Sequence, residues 1–64
     1  MTRVQARREV LLLSDGTIAH LTGKHTYDEI SEVCRTWIKR IDELADEVLA
    51  GCENWIDVYE LIKD

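Results

Sequence analysis

Between Thr26 and Gly51 the chain carries a pattern that leaves little choice of local structure. Thr26-Tyr27-Asp28-Glu29 fits a capping box, in which the threonine hydroxyl accepts from the Glu29 N–H and the glutamate reaches back to the cap. Apolar residues follow at 30, 34, 37, 41, 44 and 48, the spacing of one helix face, and Val33, Ile38, Ala45 and Leu49 widen it. Gly51 then stands where a left-handed residue would end the helix. The pattern predicts one helix over 27–50. Whatever else the chain forms must pack on that stripe.

Little chain is left to do so. With 64 residues there is room for one domain, 1–64, and for a small core of marginal stability. At 45% hydrophobic and 33% charged, the composition is that of a globular chain, not a disordered one. Two cysteines are too few for a disulfide scaffold. No apolar run approaches the roughly 20 residues that span a bilayer. The start carries Arg3, Arg7 and Arg8, but the apolar run Val10 to Leu13 stops at Ser14, too short for a secretory leader. The expected location is the cytoplasm.

Ahead of the helix, Ser14-Asp15-Gly16-Thr17 carries the Asp-Gly dipeptide of a two-residue hairpin turn. This predicts strands over 8–13 and 18–22. Alternation puts Val10, Leu12, Ala19 and Leu21 on one face and Leu11, Leu13, Ile18 and His20 on the other. The last segment, 55–62, is rich in β-branched and aromatic residues and reads as a third strand. Its alternative is a helix, with Trp55, Val58, Tyr59 and Ile62 on one face and Asn54 as N-cap. The expected fold is a small α+β domain of order ββαβ, an antiparallel sheet of strand order 2-1-3 with the long helix on one face.

That arrangement has two mismatches. A helix over 27–50 is about 36 Å long, whereas six-residue strands span about 20 Å. The helix would overshoot its sheet with Leu44 and Val48 uncovered. The far face of the sheet would show Leu11, Leu13, Ile18, Trp55 and Tyr59. Such apolar surface marks a contact site, and a homodimer is its simplest cover.

The charge is polarised. Residues 1–24 carry a net +2, 25–41 are neutral, and 42–64 carry −7, for −5 overall. Asp42, Glu43, Asp46 and Glu47 fall in the second half of the predicted helix. There Asp42/Asp46 and Glu43/Glu47 are like-charge i,i+4 pairs, and Asp46 and Glu47 oppose the helix dipole. A local conflict of this kind points to a functional surface, an acidic patch that docks on a basic protein.

No chemistry-bearing pattern competes. His20, His25, Cys34 and Cys52 lack the close pairing of structural zinc ligands, and Cys34 lies on the apolar stripe. No nucleophile–base spacing or phosphate-binding glycine pattern is present, so neither metal nor cofactor is expected. Cys52 falls in a loop, where exposure would let it cross-link two copies on oxidation. The reading is a non-catalytic protein-interaction module, a homodimeric acidic regulator or inhibitor of a protein that itself handles nucleic acid. The alternative is a small nucleic-acid-binding regulator using the arginines of the N-terminal arm with Arg35, Lys39 and Arg40.

Overall fold

The structure, a computed structural model, describes residues 1–63. Its elements are α1 (Arg3–Leu12), α2 (Asp15–Thr22), α3 (Tyr27–Glu43), α4 (Asp46–Ala50) and α5 (Trp55–Ile62). There is no strand among the described residues, so the ββαβ expectation and its sheet are replaced by an all-helical fold. Helix α3 is the spine; α1, α2 and α5 pack against it, and α1 also meets α5.

The hairpin is overturned by capping. Thr2 and Gln5 form a capping box, with the Thr2 hydroxyl accepting from the Gln5 N–H at 3.1 Å and Gln5 Oε1 accepting from the Thr2 N–H at 3.0 Å. Ser14 caps α2, its Oγ accepting from the Thr17 N–H at 3.1 Å. Asp15 and Gly16 thus become the first turn of a helix, where an aspartate suits the positive end of the dipole. A type I′ turn needs positive φ at both central residues, and among the described residues only Gly23 has it, at 74°. Gly23 ends α2, its N–H donating to Ala19 O at 2.8 Å. The strand alternation also left apolar side chains on both faces. As helices the same residues need only one buried face, which carries Ala6, Val10 and Ile18.

The third segment takes its alternative. Asn54 Oδ1 accepts from the Asp57 N–H at 3.2 Å, and Val58 and Ile62 lie in the core.

Helix α3 starts where expected. Glu29 N–H donates to Thr26 Oγ1 at 3.2 Å, and Thr26 Oγ1 donates to Glu29 Oε1 at 2.8 Å. It stops seven residues early. Leu44 and Ala45 are extended, with ψ of 141° and 150°, and α4 begins at Asp46. The break resolves the electrostatic conflict of a continuous helix. It separates Asp42 and Glu43 from Asp46 and Glu47, and puts the latter pair in a new first turn, at a positive dipole end. Leu49 enters the core, while Val48 stays 43% exposed. Gly51, expected to be left-handed, has φ of −77°.

Arg3 fills the break. Its guanidinium donates to Ile41 O, to Leu44 O at 2.7 Å and to Asp46 Oδ1 at 2.8 Å. The Met1 amino nitrogen donates to Leu49 O at 3.0 Å and Cys52 O at 2.7 Å, so the first residues of the chain tie down α4 from both ends. Arg40 does the same for α5, donating to Ile62 O at 2.6 Å. These contacts bring cationic donors to carbonyls at or just beyond helix C-terminal ends, where positive charge is favoured.

The core is Ala6, Val10, Ile18, Ile30, Trp37, Ile41, Leu49, Cys52, Val58 and Ile62. With α3 ended at Glu43 and no sheet present, the overshoot that motivated a dimer is absent. The molecule measures 34 × 19 × 18 Å, and its longest dimension is that of the whole bundle.

Candidate functional site

All four acids singled out from the sequence are exposed, and they surround the α3–α4 break. They are not equivalent. Asp46 is bound by Arg3 at 2.8 Å, and Asp42 lies 3.9 Å from Arg7 Nε. Glu43 and Glu47 make no ion pair among the described residues. The N-terminal arginines and the acidic stretch, separate features in the sequence, therefore meet and partly neutralise each other. What remains open for a partner is Glu43 and Glu47, flanked by two screened aspartates.

The apolar residues singled out do not form one surface. Ile18 is 1% exposed and belongs to the core. Leu13, Leu44, Trp55 and Tyr59 are half-buried and pack against that core. Leu11 and Val48 are exposed. Leu11 shares the outer side of α1 with Val4, seven residues earlier, opposite the buried Ala6 and Val10. Leu12, next to it, is exposed as well.

Neither cysteine is poised for chemistry. Cys52, expected in an open loop, is buried, and its thiol contacts Val48 O at 3.4 Å. Burial, and secondarily Asp15, pushes the Cys34 thiol up, so at neutral pH it is a protonated, poor nucleophile. Both are free thiols. Among the described residues, no three His, Cys, Asp or Glu side chains are grouped to hold a metal.

The sequence reading missed a cleft of about 520 Å³ between the C-terminal end of α2, the middle of α3 and the last turn of α5. Leu21, Val33, Trp37 and Tyr59 form its apolar walls, and Lys24, Arg40 and Lys63 line it with positive charge. Trp37 meets Tyr59 edge-on, with ring centroids 5.7 Å apart at 84°, and Trp55 completes the cluster at 6.4 Å from Trp37. Trp55 and Tyr59, four apart, signal a helix face, but their meeting with Trp37 depends on how α5 packs on α3.

The carboxylates of this region are engaged by their own helix. Glu32 pairs with Arg35 at 2.8 Å. The Thr26 hydroxyl and backbone N–H hold the Glu29 carboxyl below its usual range, with Lys24 and His25 assisting. A depressed folded-state value means that this cap contributes fully above the ordinary glutamate range and fades as pH falls through the lowered value. Replacing Thr26 with alanine should return Glu29 to the ordinary range in an NMR titration; an unchanged midpoint would show that the cap does not act on it.

Comparison with known proteins finds no family model, no curated protein and no solved structure that matches this chain. Among the described residues, no helix is long and apolar enough to cross a membrane.

Proposed function

We propose that this chain is a non-catalytic interaction domain, acting as a regulator or inhibitor, that docks through the carboxylates at the α3–α4 break onto a basic surface of a protein partner. The observation that carries this reading is the pair Glu43 and Glu47. Both are exposed and without ion pairs among the described residues, beside Asp42 and Asp46, in a chain of net charge −5. Electrostatic complementarity of this kind steers encounter and selects partners more than it adds affinity. A basic surface that otherwise holds nucleic acid is the partner chemistry that fits.

Four of the five arginines of the alternative reading have other work. Arg3 and Arg40 are bound to helix-end carbonyls, and Arg7 and Arg35 face carboxylates. The homodimer is retained as a proposal only on the outer side of α1, where Val4, Leu11 and Leu12 are exposed.

The test uses Glu43→Lys/Glu47→Lys as bait beside the wild type in affinity capture from host lysate, at low and high salt. Both residues are exposed, so folding should be unchanged by circular dichroism. The expected result is a basic protein retained by wild type, released by salt and lost by the double variant. Capture that survives charge reversal would overturn the acidic-surface reading. Sedimentation of the free wild-type chain should give a dimer if α1 associates; a monomer at all concentrations removes the homodimer.

A further inference from the structure

We propose that the cleft between α2, α3 and α5 binds a small molecule with an aromatic or apolar body and one anionic group. The volume of about 520 Å³ lies within the range of ligand pockets, and mostly apolar walls with a few polar groups are their usual construction. Three of the chain's eight lysines and arginines line this one cleft, although the whole chain carries −5. Its two carboxylates, Glu29 and Glu32, leave the lining with a net positive charge of one; Glu32 pairs with Arg35, Lys63 with Glu60, and Arg40 binds Ile62 O, so Lys24 is the cation best placed to meet an anion. Lys24 makes no side-chain hydrogen bond or ion pair among the described residues.

Trp37 adds a second, independent feature. It is 3% exposed, yet its indole N–H has no hydrogen-bond partner among the described residues. A buried indole N–H ordinarily finds one. Among the described residues no fully buried side-chain nitrogen or oxygen lacks a partner, so this N–H still reaches solvent, and the cleft is the opening that Trp37 lines. An unused donor beside an edge-on aromatic pair suits a ring that packs on Tyr59 and Leu21 and carries an acceptor. Lys24 then supplies the charge for the anionic end. The lining of this site includes none of Asp42, Glu43, Asp46 and Glu47, so it does not depend on the docking surface proposed above.

The probe is 1-anilinonaphthalene-8-sulfonate, compared with N-phenyl-1-naphthylamine, which has the same rings without the sulfonate. Titrations follow probe fluorescence and the amide resonances of the ¹⁵N-labelled protein. The expected result is saturable one-to-one binding of the sulfonate, at least tenfold tighter than its neutral analogue, with shifts centred on Thr22, Lys24 and Thr36. Lys24→Glu should weaken the sulfonate severalfold and leave the neutral probe unchanged. Thr36→Trp, which fills the cleft, should abolish both. Because Lys24 is exposed, its variant keeps the proposal testable even if the larger tryptophan disturbs folding. Equal affinity for the two probes, shifts centred on Val4 and Leu11, a Lys24→Glu variant that binds like wild type, or no saturation below millimolar concentration would each overturn it.

Discussion

Replacing Arg3 with alanine should lower the folding free energy by about 2–3 kcal/mol, the range of hydrogen bonds made by a charged donor. For a chain of this size the total is only roughly 3–10 kcal/mol. One surface-looking arginine near the start of the chain is therefore expected to carry a large share of it. The reason is geometric. Ile41 O and Leu44 O flank the point where α3 stops, and a single guanidinium spans both. Its side chain is 29% exposed, against 89% for Asp46, so most of the effect comes from the carbonyl contacts and little from the ion pair. Asp46→Ala should accordingly cost less than 1 kcal/mol. Arg3→Lys should recover only a minor part, because one ammonium does not reproduce the planar fork. Urea unfolding followed by circular dichroism separates these outcomes through the midpoint at constant slope. An Arg3→Ala midpoint equal to that of wild type would mean that the break persists without its cap.

Truncating Trp37 to alanine is the larger perturbation, about 3–5 kcal/mol for a buried aromatic. It removes the residue that joins α3 to α5 through Tyr59 and Trp55, and whose ring also forms a wall of the cleft. Since that loss approaches the whole stability, a substantial unfolded fraction is expected at 25 °C. Near-ultraviolet circular dichroism should collapse, because the coupled rings lose their fixed geometry. Trp37→Phe should keep the fold, since an apolar ring still fills the site. A Trp37→Ala variant within 1 kcal/mol of wild type would show that the aromatic cluster is peripheral to the core.

Where the sequence was legible, the deciding interactions lie within a few residues. The Thr26–Glu29 box, the start of α3 and its buried Ile30, Trp37 and Ile41 all follow from neighbours three, four and seven apart. The same local grammar was available for α1 in Thr2 and Gln5, and for α2 in Ser14, Thr17 and Gly23, but the Asp-Gly dipeptide outweighed it. That dipeptide fits both a hairpin turn and a helix start after serine. The two-sided apolar alternation was the available sign that a strand was the wrong choice. In the last segment, Trp55, Val58 and Ile62 suited either period, and the Asn54 cap was the local feature that tipped it to helix.

The acidic stretch shows the limit from the other direction. Its like-charge spacing is visible in the sequence as a conflict, which the chain answers with a helix break. Glu43 and Glu47 remain open, while Asp42 and Asp46 face Arg7 and Arg3 some forty residues distant in sequence. The cleft was invisible for the same reason, since Leu21, Trp37 and Tyr59 come together only when three helices do.

By itself, then, the order of residues determined the main helix, its cap and its buried face, because hydrogen bonds and side-chain contacts within one or two turns set those. Tertiary structure alone decided where that helix stops, which charges stay unpaired and where a cleft opens. Each of those outcomes depends on a group from a distant segment, and chief among them is the Arg3 guanidinium, which binds two carbonyls at the end of the interrupted helix and the Asp46 carboxylate beyond it.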